Sequence, residues 1–94
     1  MFNIGWDDLL EKNHIKLIDI RSSDKYFIGH VNNAVNIEEI ELVNHHKKYL
    51  TKNEIYYIYC DYGSRGRVVV SYLNSLGYTT VNINGGYYNF LFRK

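Results

Sequence analysis

One residue in this 94-residue chain offers soft nucleophilic chemistry: Cys60, its single cysteine. It follows Ile55-Tyr56-Tyr57-Ile58-Tyr59, a β-branched and aromatic run without a polar face, and opens the loop Cys60-Asp61-Tyr62-Gly63-Ser64-Arg65-Gly66. A run of that kind predicts a strand covered on both sides, as in a parallel sheet. In such sheets ligands bind beyond the carboxyl ends of the strands, where loops enter helices. Three features of this loop favour the thiolate, the reactive form of cysteine. A helix starting after the loop contributes roughly half a positive charge at its first turn. Successive loop N–H groups can curl around an anion, and Gly63 and Gly66 permit the dihedrals that this needs. Arg65 adds a permanent cation with a forked set of donors for an anionic substrate. Asp61 pulls two ways, since its charge opposes a neighbouring thiolate whereas its side chain can cap the next helix. The competing structural reading of Cys60 is a small buried hydrophobe.

Other candidates are weighed in the same way. Asp19 and Arg21 form a charged pair at a predicted strand end, either an ordinary surface pair or a support for the site. Tyr62 stands in the loop and is a candidate for the pocket mouth, and Arg67 adds positive charge near it. His45-His46 beside Lys47-Lys48 reads as a solvated helix face. Residues at i and i+1 of a helix point in different directions and make a poor metal site.

The elements that must position these residues follow from the pattern. A short opening helix is expected around residues 5–12, a strand at Lys16–Ile20, and a helix from Ser22 that Gly29 closes. A short strand is expected at Ala34–Ile37, and apolar positions at helical spacing predict one helix over Glu38–Leu50. After the cysteine loop, Val68, Val69, Tyr72, Leu73 and Leu76 read as the buried stripe of a helix ended by Gly77. A strand at Tyr78–Ile83, a Gly85-Gly86 turn and a helix over Tyr87–Lys94 complete the chain. Alternating strands and helices predict a three-layer α/β domain, with a mainly parallel sheet of about five strands and helices on both faces. No repeat or linker divides the sequence, so residues 1–94 are read as one domain.

Composition excludes several classes. Eleven basic and ten acidic residues give a formal charge of +1 without a block of like charge, so no nucleic-acid or membrane partner is expected. A lone cysteine forms no internal disulfide and no multi-cysteine metal site. No apolar run approaches the roughly 18 residues that span a bilayer, and the first residues lack the basic and apolar regions of a signal peptide. The expectation is a soluble cytoplasmic protein.

Four segments taken together resemble the rhodanese-like sulfurtransferase family, in its single-domain form, from about Trp6 to Phe90. Cys60-Asp61-Tyr62-Gly63-Ser64-Arg65 fits the active-loop pattern C-x-x-G-x-R, and Asp19-Ile20-Arg21 matches D-x-R. Tyr26-Phe27-Ile28-Gly29-His30-Val31, with Ala34 and Ile37 following, resembles [YF]-x-x-G-H-[IV]-x-x-A-x-x-[IL]. Gly77-Tyr78 through Gly85-Gly86 resembles the closing segment. The chain departs from the family in Asn32, where proline is frequent, in Phe90, where tryptophan is common, and in Gly66, where a small hydroxyl residue or alanine often stands. The resemblance implies a rhodanese-like fold and a ping-pong sulfur transfer through a Cys60 persulfide, from a donor such as thiosulfate or a persulfide to cyanide or a thiol. It implies Cys60 as the catalytic residue, Asp61, Tyr62, Gly63, Ser64, Arg65 and Gly66 as the substrate-binding loop, and Asp19 and Arg21 as its supports. His30 takes a structural role at a turn. No metal or organic cofactor is implied; the partners are a small sulfur-containing anion, a thiol or cyanide acceptor, and in one version a sulfur-relay protein.

Two alternatives stand beside this. One is a sulfur-carrier or protein-binding module that does not turn over small substrates. The other is a cysteine phosphatase or arsenate reductase, but Arg65 gives C-x4-R and Arg67 gives C-x6-R, whereas a phosphate cradle of that type needs C-x5-R.

Overall fold

The computed structural model describes residues 2–93. Five strands run parallel in one sheet: β1 (Asn3–Ile4), β2 (Lys16–Asp19), β3 (Val35–Asn36), β4 (Ile55–Tyr59) and β5 (Thr79–Ile83), in the spatial order β1-β5-β4-β2-β3. The helices are α1 (Trp6–Leu10), α2 (Ser23–Ile28), α3 (Glu39–Asn44), α4 (His46–Tyr49), α5 (Ser64–Ser75) and α6 (Gly86–Phe92).

β4 lies in the middle of the sheet, with Ile58 opposite Ile18 of β2 on one side and Asn82 of β5 on the other. Successive side chains along a strand alternate between faces, and the two faces carry separate cores. Ile18, Ile20, Ile58 and Cys60 pack with Leu42 of α3 and with Val69, Val70 and Leu73 of α5. Leu17, Tyr59 and Ile83 pack on the other face with Trp6 and Leu9 of α1, and Tyr87 and Phe90 of α6 flank them. Each fully buried Leu or Ile contributes roughly 1.5–3 kcal/mol relative to exposure, so the strand period alone turns the Cys60 side chain toward α5.

The three-layer α/β architecture and the parallel sheet agree with the expectation. Three local readings need correction, and one strand has no counterpart in the sequence reading. β1 has two residues, too short to carry a period-two signal, and is defined by its pairing with Asn82 and Ile83. The helix expected over Glu38–Leu50 breaks at His45, whose φ of −132° and ψ of 38° are not helical. The buried stripe of α5 is Val69, Val70 and Leu73, whereas Val68 and Tyr72 are exposed, so the packed face is rotated by about one residue from the reading. The last helix is described to Phe92, and Lys94 lies outside the described residues. Among the described residues no helix is long and apolar enough to cross a membrane.

Candidate active site

Cys60 is the first residue after β4, at the carboxyl edge of the sheet, and it is only 4% exposed. Two backbone N–H groups donate to its Sγ: Gly63 at 3.0 Å and Gly66 at 3.1 Å. Gly66 is the third residue of α5, so Sγ takes one of the four N–H groups that a helix start leaves without an internal partner. The first-turn N–H groups of Ser64 and Arg65 likewise have no intrahelical acceptor. Gly63 precedes the helix with φ 103°, a left-handed conformation natural to glycine, and a Cβ there would lie 2.9 Å from Gly85 N. The curl that aims two amides at one sulfur therefore depends on a residue without a side chain.

The loop is braced from behind by α6. Tyr87 N–H donates to Cys60 O at 2.8 Å and Tyr88 N–H to Asp61 O at 2.9 Å. Trp6 Nε1–H donates to Gly86 O at 2.8 Å, and the Trp6 ring packs on Phe90 with centroids 4.9 Å apart. Phe90, the departure from tryptophan, thus fills the space between α6 and α1.

The flanking charges differ from the sequence reading. Arg65, read as a free cation for an anionic substrate, is ion-paired with Glu39 of α3, which holds its guanidinium above the ordinary value. Asp61 receives Lys25 Nζ at 2.9 Å, and no side chain caps α5, so the capping role considered for Asp61 is absent here. Each of these two cations therefore has its own carboxylate, 26 or 36 positions away in sequence. Arg67 lines a groove between α5 and the β1 edge, with Phe2 and Asn3. Tyr62 is exposed and packs against Tyr88 at 5.1 Å, and Tyr88 against Phe92 at 4.8 Å, giving a short aromatic row beside the loop.

Asp19 and Arg21 are buried, not a surface pair. Arg21 donates through Nε and Nη2 to the Asp19 carboxylate, with Nη2 at 2.7 Å, and through Nη2 to Gly29 O at 2.6 Å. Its guanidinium lies 4.0 Å from the centre of the Tyr87 ring. Burial works against its charge, but the bond and field of Asp19 outweigh it and hold Arg21 above its ordinary value. Arg21 thus lies beneath the loop, behind the residue whose N–H holds Cys60 O. Tyr59 shares this region; burial, then Asp19, pushes its hydroxyl upward, and the bond from Val31 N–H at 3.1 Å opposes that.

Three of the four histidines have ordinary structural partners. His30 stacks on Tyr26 and contacts Tyr26 O through Nδ1 at 2.8 Å. His46 meets Tyr78 Oη at 2.7 Å, and His45 lies 4.0 Å from Glu41, so the adjacent pair diverges. Sequence reasoning missed two residues bordering the site. Glu39 had no local signal, because its partner is distant in sequence. Asn82, wholly buried beneath α5, reads in sequence as one polar residue within a strand.

Comparison with known proteins agrees with this geometry. A rhodanese-like domain family model matches residues 6–92. The adenylyltransferase and sulfurtransferase Uba4 of Ogataea parapolymorpha is 31% identical over 71 residues, covering 74% of this chain but 18% of that protein. A rhodanese-related protein from Thermoplasma volcanium superposes with a TM-score of 0.87 at 27% identity, covering 97% of this chain and 91% of that one. A rhodanese-like domain protein from Staphylococcus aureus gives 0.80 at 34% identity, over 92% and 87% of the two chains. With C-x-x-G-x-R at the carboxyl end of the central strand and a family match over nearly its whole length, the chain belongs to the rhodanese-like domain family.

Proposed function

We propose that this protein is a sulfurtransferase in which Cys60 carries a sulfane sulfur as a persulfide. The observation that carries the reading is the pair of N–H groups, from Gly63 and Gly66, that meet on Cys60 Sγ. Donors fixed in advance favour negative charge on that sulfur without reorganisation. In the first half-reaction the Cys60 thiolate attacks the outer sulfur of the donor. With thiosulfate the donor S–S bond breaks, sulfite leaves with the bonding pair, and Cys60 becomes a persulfide anion. In the second, cyanide or a thiolate attacks the outer sulfur, and the Cys60 thiolate leaves, regenerated. No electrons are gained or lost overall, so one cysteine suffices. The first-turn amides of Ser64 and Arg65, left without helical partners, are available to the transferred sulfur and the donor oxygens. Asp61, Tyr62, Gly63, Ser64, Arg65 and Gly66 form the binding loop, and Asp19 and Arg21 support it through Tyr87.

A second form of the reading, in which donor or acceptor is a protein in a sulfur relay, is favoured by two observations. Arg65 and Lys25 are each occupied by a carboxylate, which weakens the pull on a small dianion, and the row Tyr62, Tyr88 and Phe92 offers apolar contact beside the loop. Uba4, an adenylyltransferase and sulfurtransferase, is among the similar proteins.

Steady-state formation of thiocyanate from thiosulfate and cyanide tests the enzyme reading. Parallel double-reciprocal lines and loss of activity in Cys60→Ser are expected. A Cys60→Ser variant that retains activity, or a wild type loaded by neither thiosulfate nor a low-molecular-weight persulfide, contradicts it. Loading by a persulfide but not by thiosulfate selects the relay form.

A further inference from the structure

Asn82 is a polar side chain in an apolar place. It sits on β5, wholly buried, against the face where Cys60, Val69 and Val70 pack. Its Nδ2 donates to Asn3 Oδ1 at 3.1 Å, while its Oδ1 is the single buried side-chain polar atom among the described residues without a hydrogen-bond partner. Thr80, two positions earlier on the same face, shows that this strand can satisfy its polar groups, since its N–H and hydroxyl both reach Asn74 Oδ1, at 2.8 and 2.9 Å. An orphan acceptor in a packed interior is disfavoured and calls for a reason.

The reason lies across the interface. A Cβ on residue 66 would lie 2.1 Å from Asn82 Oδ1 and 3.6 Å from Cys60 Sγ. The Asn82 amide therefore occupies the room that a side chain at 66 would take, in the same small space that the sulfur borders. Gly66 also supplies one of the two N–H groups on Sγ. The depth at which the first turn of α5 settles on the sheet, and with it the reach of that N–H, is set by what stands beneath Gly66. The bond to Asn3 and the 2.7 Å bond from Asn82 N–H to Phe2 O tie that support to the β1 edge.

We infer that Asn82 is a positioning residue for the cysteine: its amide takes the place of a side chain at Gly66 and holds the Gly66 N–H on Cys60 Sγ. Asn82 touches neither substrate nor transferred sulfur; it acts through Gly66. The pair behaves as a lock, in which a larger residue at 66 requires a smaller one at 82.

The test reads thiolate reactivity by alkylation of Cys60 with iodoacetamide across a pH series, which needs no sulfur transfer and so stands or falls apart from the sulfurtransferase reading. The variants are Gly66→Ala, Asn82→Ala and the double substitution, each checked by circular dichroism and thermal melting. Weakening one hydrogen bond to an ionised sulfur lowers alkylation near neutral pH by about tenfold in Gly66→Ala, with the profile displaced to higher pH. Asn82→Ala moves the profile in the same direction by a smaller factor. In the double variant the methyl group introduced at position 66 fills the vacated place, and alkylation returns to within about threefold of wild type. A double variant that is folded but no faster than Gly66→Ala overturns the inference. Should Gly66→Ala fail to fold, the single Asn82→Ala decides: a pH profile superimposable on wild type overturns it.

Discussion

The substitution Asp19→Asn separates two kinds of ion pair in this molecule. The Asp19 carboxylate receives Arg21 Nη2 at 2.7 Å, Arg21 Nε at 3.0 Å and the Arg21 backbone N–H at 2.9 Å, and the two side chains are 0% and 4% exposed. Asparagine at 19 preserves the shape but removes the charge and turns a donor toward a guanidinium that cannot lose its proton. Arg21 stays buried between Gly29 O and the Tyr87 ring, with no compensating anion. Breaking a buried pair from one side costs about 3–5 kcal/mol, a large part of the roughly 5–15 kcal/mol typical of a whole domain. At about 4–8 °C per kcal/mol for a chain this size, the melting temperature falls by at least about 12 °C. Asp61→Asn is the control, since its pair with Lys25 has side chains 36% and 56% exposed and contributes about 1 kcal/mol or less. Thermal unfolding followed by circular dichroism at neutral pH compares the two. Because Arg21 supports the loop through Tyr87, Cys60 alkylation well below the melting temperature of the Asp19 variant also slows relative to wild type. Equal, small shifts in both variants would refute the assignment of Asp19 and Arg21 as a buried support.

Three further outcomes follow from the site. Gly63→Ala forces a side chain onto a residue at φ 103° and within 2.9 Å of Gly85 N, costing about 1–2 kcal/mol for the left-handed conformation alone, before the contact is relieved. A lower melting temperature with slower Cys60 alkylation is expected, and unchanged values of both speak against the loop geometry. Glu39→Gln releases Arg65 toward the loop and lowers the KM for thiosulfate about two- to fivefold at low salt, an effect that fades as ionic strength rises; an unchanged KM at low salt shows that Arg65 does not act on the donor. Tyr59 has its hydroxyl raised by burial, so its contribution to stability is fully present below its unfolded value near about 10 and is lost as the pH rises above it. Melting temperatures measured from about pH 8 to about pH 11.5 should fall more steeply in wild type than in Tyr59→Phe, and parallel curves contradict this.

Much of the fold was legible because its signals are local. The unbroken apolar run Ile55–Tyr59 marked the central strand, and the glycines after Cys60 marked the turn into α5. The position of the cysteine beyond that strand then followed from the general rule for parallel sheets. The parts not legible depend on contacts distant in sequence. β1 exists through its pairing with β5, at the far end of the chain, and has no pattern of its own. Val68 and Val69 are alike as residues, and only the seating of α5 on the sheet decides that Val69 is buried and Val68 exposed. Arg65 looked free because its partner, Glu39, lies 26 positions away in sequence and reaches it from α3. Gly66 read as a departure from the family pattern, and became intelligible only with Asn82 beneath it.

The central claim is that Cys60 accepts and releases one sulfur atom. Intact-mass measurement of the wild-type protein after incubation with thiosulfate, and again after addition of cyanide, addresses it directly. A gain equal to one sulfur atom, mapped to Cys60, is expected, which cyanide removes and which Cys60→Ser never shows. An unmodified mass with thiosulfate and with a low-molecular-weight persulfide, in a folded protein whose Cys60 still alkylates, would contradict it.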